Sequence, residues 1–318
     1  MAASRFDIHE QITNQIIGML AEAKRTTGLP WHTAGGLRRP INVLTGKAYR
    51  GINILTLWMA ATQHGYQSGR WGTYRQWAEV GAQVRKGEKA AFIVFYRDVP
   101  CTDDSGSNDD DNGEGGRARA VVARASPVFA AEQVDSYCPP ITAPTDPVVA
   151  HAQAEQLVAR SGATVVHGGD RAYYTTATDS IHMPWPAAFI GTPTSSPTES
   201  YYAVLFHELT HWTGHETRCN RQLGRRFGLD AYAMEELVAE LGAAFLSADL
   251  GVAASPRADH AHYIASWLDV LKRDKRAIFA AASKASAAAD FLMPSQNVPR
   301  QPANTTAVVH RPDQMGTP

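Results

Sequence analysis

Apolar residues recur every four positions near the start of the chain, at Ile8, Ile12, Ile16 and Leu20. That spacing stacks side chains on one face of a helix. Asp7 and Glu10 precede the run with capping-box spacing, and Gly28-Leu29-Pro30 stops it, so a helix is predicted over about residues 7–24. Asn42 to Tyr49 is turn-like. Ile52 to Ala61 is apolar enough for a second helix, ending near Gly65. Ala90 to Tyr96 is short, apolar and aromatic at its end, which reads as a strand, and Val121 to Phe129 as its returning partner. Between them, residues 103–116 hold six acids, no base and four glycines. Such a stretch cannot bury a core, so a disordered insertion over about 102–118 is expected at the tip of a hairpin.

Pro139, Pro140, Pro144 and Pro147 mark a linker, taken as residues 139–147. Beyond it the pattern predicts a helix over 147–161, then strands near 164–167 and 172–174, and an extended segment over 180–183. Ser196-Pro197-Thr198-Glu199 joins a Ser N-cap, Pro at N1 and Glu at N3, a strong helix start. That helix should reach Thr213, with Gly214 at its end. Asp230 opens another ending at Gly251, Ser255-Pro256 a third, and an Ala-rich helix closes near Leu292. Residues 294–318 hold five prolines and no apolar period, and are expected to be disordered. The whole predicts an α+β chain of two domains. A small α/β domain occupies residues 1–138, and a mainly helical one occupies 148–293.

Composition fits this division. A chain of 318 residues, 44% hydrophobic and 19% charged, is that of a soluble protein large enough for two domains. The first ten residues are polar and include Asp7 and Glu10, so no signal peptide is expected. No apolar run approaches the roughly 20 residues that span a bilayer. Cys101, Cys138 and Cys219 are odd in number and far apart, which suits a reducing compartment. The expected location is cytoplasmic, with no membrane partner. The net charge of −1 hides an asymmetry: residues 1–100 carry 13 Lys and Arg against 6 Asp and Glu, leaving 17 against 25 for the remainder. A basic front half points to a polyanion partner.

His207-Glu208-Leu209-Thr210-His211 is an HExxH motif. On a helix, residues four apart share a face, so both imidazoles can reach one metal, with Glu208 beside them to take a proton from metal-bound water. A third ligand is needed, and Glu235, Glu236 and Glu240 stand out as acids in or beside an apolar helix. The segment Glu236 to Glu240 resembles that of zincins with a glutamate third ligand, and the resemblance implies Glu236 as the ligand and Glu240 as the residue that orients a ligand histidine. The reverse assignment stays open, as does His215 as an alternative ligand. Zn2+ is the expected ion, with Mn2+ or Co2+ also admitted. The implied reaction is amide hydrolysis. Tyr201, Tyr202 and Tyr263 are candidate donors to its transition state. Asp179 to Pro184 is the candidate edge strand for holding a peptide backbone.

The front half interleaves cations and rings: Trp31, Arg38, Arg39, Lys47, Tyr49, Arg50, Trp58, Tyr66, Arg70, Trp71, Tyr74, Arg75, Trp77, Arg85, Lys86 and Lys89. Single-stranded nucleic acid is bound by this combination, its bases stacking on rings and its phosphates following cations. Trp58, on an apolar segment, is expected in the core under any reading.

Together these strings resemble the ArdC-like antirestriction proteins of conjugative plasmids and mobile elements. The front half is similar over Asn42 to Asn53, Arg70 to Trp77 and Val84 to Lys89, the back half over His207 to His215, Tyr232 to Phe245, His260 to Ile264 and Trp267-Leu268. The likeness covers about residues 6–292. A similar front domain occurs in plasmid primases. The resemblance implies a domain that binds single-stranded DNA, followed by a zincin-like metallopeptidase domain, in a protein that shields incoming DNA from host restriction. Two features depart from the family pattern, the segment 127–133 and the acidic insertion. The rival readings are a DNA-binding protein with a purely structural metal site, and a primase-associated accessory protein.

Overall fold

The opening apolar period folds as helix α1 (Ile8–Thr26), with Ile8, Ile12, Ile16 and Leu20 all buried. The structure, a computed structural model, describes residues 7–26, 38–100, 119–138, 147–191, 195–252 and 260–293. The predicted linker, acidic insertion and C-terminal tail lie almost wholly outside the described residues, as does Trp31.

Strand β1 (Ile41–Asn42) leads into a turn in which the Asn42 carboxamide oxygen accepts from the backbone of Leu44 and Thr45. Helix α2 (Ile52–His64) ends at Gly65, whose φ of 73° supplies the left-handed C-cap. Strand β2 (Arg70–Gly72) and helix α3 (Tyr74–Glu79) follow, the latter opened by a Thr73–Gln76 capping box. After the short β3 (Gln83–Val84) come the long strands β4 (Ala91–Pro100) and β5 (Arg119–Ala130), then β6 (Val134–Asp135). The main front sheet runs β1-β2-β5-β4, and β3 pairs with β6. β4 and β5 are antiparallel from Ala91↔Val128 out to Pro100↔Arg119, so the acidic segment joins the far ends of a hairpin. The carboxamide of Asn53 brackets the outer edge of β4, donating to the Val94 carbonyl at 2.9 Å and accepting its N–H at 2.7 Å. In segment 127–133, Glu132 accepts from the backbone N–H groups of Gln67 and Ser68, tying the end of β5 to the loop after α2.

The back half opens with α4 (Pro147–Ser161), followed by β7 (Thr164–His167), β8 (Tyr173–Thr175) and β9 (Ser180–Met183). The order is β7-β9-β8, with β9 parallel to β7 and antiparallel to β8. This corrects the expectation that Asp179 to Pro184 forms an edge strand: β9 has a neighbour on each side, so its backbone groups are taken. Helix α5 (Pro197–Thr213) carries the HExxH motif and starts with the expected capping box, Ser196 Oγ accepting from the Glu199 N–H at 3.2 Å. A short α6 (Gly224–Phe227) precedes α7 (Ala231–Leu250), which ends at left-handed Gly251. The chain closes with α8 (His260–Arg273) and α9 (Ala277–Leu292).

One hydrophobic cluster joins the halves. It contains the buried face of α1, Ile52, Ile54, Leu55 and Trp58 of α2, and Val94 of β4, together with α5, α7, α8 and α9. Trp58 meets Phe245 of α7 edge-on, with ring centroids 5.6 Å apart. Polar ties cross the same boundary: Arg39 to Asp249 at 2.5 Å, and the Gly51 N–H to Ser286 Oγ at 2.8 Å. No helix among the described residues is long and apolar enough to cross a membrane.

Candidate metal centre

The site lies where α5 and α7 come closest. Their approach depends on Gly242: a Cβ there would stand 2.5 Å from Thr210 Cγ2 and 2.6 Å from Thr210 Oγ1. Without that side chain the helices close up, and the face of α7 bearing Glu235, Glu236 and Glu240 meets His207 and His211.

The two Nε2 atoms of His207 and His211 are 3.1 Å apart. Glu236 presents one carboxylate oxygen 3.5 Å from His207 Nε2 and the other 3.6 Å from His211 Nε2. Donors held about 2.0–2.1 Å from a tetrahedral ion lie about 3.3 Å from one another, so these three side chains already have ligand spacing. Among the described residues they form the cluster of His, Cys, Asp and Glu side chains able to hold a metal. Two imidazoles and a carboxylate suit a divalent cation of the zinc or manganese kind. Burial alone would raise the Glu236 carboxyl. The hydrogen bond with His207 and the two imidazoles outweigh it and hold the group below its ordinary value.

The opposite ring nitrogens have carboxylates of their own. Glu240 stands 3.6 Å from His207 Nδ1, and Glu235 lies 3.1 Å from His211 Nδ1. The Glu235 contact is of hydrogen-bond length, of the kind that fixes ring orientation and basicity, whereas Glu240 stands farther off. Glu235 is held in turn by buried Arg221, which donates to both its oxygens at 2.8 and 2.5 Å, and also to the Thr210 carbonyl and Thr213 Oγ1. Burial acts to raise Glu235, but Arg221 and then His211 outweigh it and bring it to about 2.

Glu208 is buried on the same helix. His215 sits past Gly214, bonds Thr217 at 2.9 Å and is not brought to the cluster. Of the candidate tyrosines, Tyr201 and Tyr202 point into the core, bonded to His167 and Glu155. Tyr263 instead meets Tyr232 at 3.1 Å, and Tyr232 reaches Glu236. That bond to Tyr263, then burial and the charge of Glu236, push the Tyr232 hydroxyl well up. Sequence reasoning gave Arg221 and Tyr232 no role. The only signal for Tyr232 was its place one turn before Glu236; for Arg221, in an irregular segment, there was none.

The expected DNA residues divide sharply. Trp71 and Trp77 are 2% and 0% exposed, and Arg39 is buried against Asp249. These three are corrected out of the contact set: a ring sealed in a core cannot stack on a base, and a buried paired guanidinium is not offered to phosphate. Arg50 is paired with Asp290, and Tyr49 is half-buried and bonded by Asn42. Arg38 and Arg70 are half-buried. Lys47, Tyr74, Arg75, Arg85, Lys86 and Lys89 are exposed, Arg75 and Arg85 with Glu79 and Glu88 beside them.

Comparison with known proteins agrees with both halves. Residues 6–129 match the family model for the N-terminal domain of anti-restriction factor ArdC, and residues 152–284 match that for a zincin-like metallopeptidase. The antirestriction protein ArdC of plasmid R388, solved metal-free, is 35% identical and superposes with a TM-score of 0.73, covering 90% of this chain and 97% of that one. The chain belongs to the ArdC antirestriction family. The Mn(II)-bound form of the R388 protein superposes with a TM-score of 0.69 over the same shares. Outside solved structures, this ArdC-family chain is 44% identical to uncharacterized protein y4eC of Sinorhizobium fredii, over 92% of this chain and 93% of that protein. It is also 37% identical to the Escherichia coli DNA primase TraC, of which it covers 28%. The ArdC fold spans most of this chain and a minor part of that primase.

Proposed function

We propose that this ArdC-family protein binds single-stranded DNA through its front half, protects incoming DNA from restriction, and carries a metal-dependent peptidase site in its back half. The observation that carries the metal reading is the spacing of His207, His211 and Glu236, which matches that of ligands around one divalent ion. Zinc fits two imidazoles and one carboxylate with a fourth position left for water. The ion would supply an acidified water and a polarised carbonyl. Glu208 is the base that takes the water's proton and passes it to the leaving amine. Glu235 and Glu240 hold the rings of His211 and His207, and Tyr232 approaches Glu236 at the rim.

The DNA reading rests on the basic front half and on the family, whose solved R388 member is an antirestriction protein. Glu208→Gln tests the two activities apart. Metal content should be unchanged in that variant while any metal-dependent peptide hydrolysis disappears. If transferred DNA remains protected, protection belongs to the DNA-binding half and not to hydrolysis. Loss of the metal itself in Glu208→Gln would contradict the role given to Glu208.

A further inference from the structure

Burial of Trp71 and Trp77 leaves the front half short of rings for stacking, although a sequence-tolerant single-strand site draws much of its affinity from them. Among the described residues, the large exposed aromatics of that half are Tyr74, Phe92, Phe95 and Tyr96, three of them on β4. Successive residues of a strand face opposite ways. Tyr96, one face round from Phe95, meets His9 of α1, and Val94 on that same inner face is sealed in the main core. On the other side, Ala91 and Ile93 pack against a second core cluster with Trp71 and Val128, and beyond that cluster Phe95 and Arg97 stand open to solvent. Across the hairpin they face Arg124 and Val122 respectively, and directly opposed residues share a face. All four are exposed: Phe95 at 36%, Val122 at 41%, and both arginines open to solvent. The Arg97 guanidinium lies 5.8 Å from the Phe95 ring centroid, and among the described residues neither arginine has an ion-pair distance to an acid.

We propose that this outer hairpin face is a stacking platform for single-stranded DNA, with Phe95 carrying a base and Arg97 and Arg124 the flanking phosphates. The proposal rests on the single-strand reading given above and locates it. Charge selects the occupant. Two arginines flanking one ring repel a basic partner, and they match a chain that alternates flat bases with phosphates. An exposed Phe opposite an Arg contributes little to folding, whereas an Arg held over a ring keeps both ready for a base sandwiched beside them.

Binding of the full-length protein to a fluorescent oligo-dT strand, followed by anisotropy at several salt concentrations, tests this. Phe95→Ala should weaken binding about tenfold or more with little change in salt slope. Phe95→Trp should retain or strengthen binding, and Phe95→Leu should fail to. The double variant Arg97→Ala/Arg124→Ala should flatten the salt slope by about 1.4, while Arg171→Ala, an exposed charge of the back half, should leave it unchanged. Equal melting temperatures would show that the variants fold. Salt-sensitive wild-type binding that survives all the hairpin changes would overturn the platform and leave the single-strand reading standing. Salt-insensitive or absent wild-type binding would overturn both.

Discussion

At the residue scale the candidate site was legible where chemistry dictates spacing and obscure where tertiary packing decides. His207 and His211 declare themselves by falling one helical turn apart, and Glu236 by being an acid in an apolar helix. Arg221 does not, because nothing in an irregular segment says that its guanidinium reaches back to Glu235 and the end of α5. Asp179 is a second such residue, and it has a clean test. Its carboxylate takes Arg218 at 3.0 and 2.6 Å and the Tyr174 hydroxyl at 2.8 Å, fastening the segment after the motif helix to the β8–β9 turn. The Arg218 bonds hold it at about 2, below the ordinary 3.8. A group whose folded value is depressed stabilises above its unfolded value and loses that effect as pH falls towards the folded one. Asp179→Asn should therefore lower the melting temperature at pH 6, and the gap from wild type should close between about 3.8 and 2. Its φ of 47° is one that Asn tolerates, so backbone strain does not confuse the reading. The residue is 44% exposed, so solvent screening keeps the gap modest and salt should shrink it. A gap that widens on acidification would contradict this account.

At the element scale, long periodic segments and capped helices were readable: α1, α4, α5 and α7 fall within a few residues of their predicted bounds. What escaped was short or dependent on partners. β2 and α3 have too few residues to show a period, although the Thr73–Gln76 box is a local signal for α3. β9 was recognised as a strand, but only pairing, absent from its own sequence, makes it central rather than edge. Close approach of helices is also invisible to periodicity. Gly242 lies mid-helix in α7, where Ala would ordinarily stabilise by about 1 kcal/mol. Here an added Cβ would collide with Thr210 on α5. Gly242→Ala should lower the melting temperature and weaken metal binding together, because α7 must retreat and carry Glu236 away from the histidines. A more stable protein with unchanged metal affinity would show that the contact is looser than the structure has it.

At the scale of the whole molecule the sequence suggested two domains, and the structure shows the two halves sharing one hydrophobic core. The linker composition and charge asymmetry gave no hint that Ile8, Ile12, Ile16 and Leu20 of α1 share one core with α8 and α9, since contacts between distant segments leave no local trace. Expressed alone, residues 1–138 should be less stable than in the intact chain and bind the apolar dye ANS, as the face of α1 loses its cover. Native-like melting of that fragment without dye binding would argue for independent domains. For the same reason, DNA-binding and metal-binding tests belong on the full chain. Metal content per chain after purification and reconstitution, with wild type beside His207→Ala, Glu236→Ala and His215→Ala, measures the proposed metal centre directly. About one divalent ion per chain in wild type and His215→Ala, lost in the other two, is the predicted result. Full metal content in Glu236→Ala, or none in the reconstituted wild type, would contradict it.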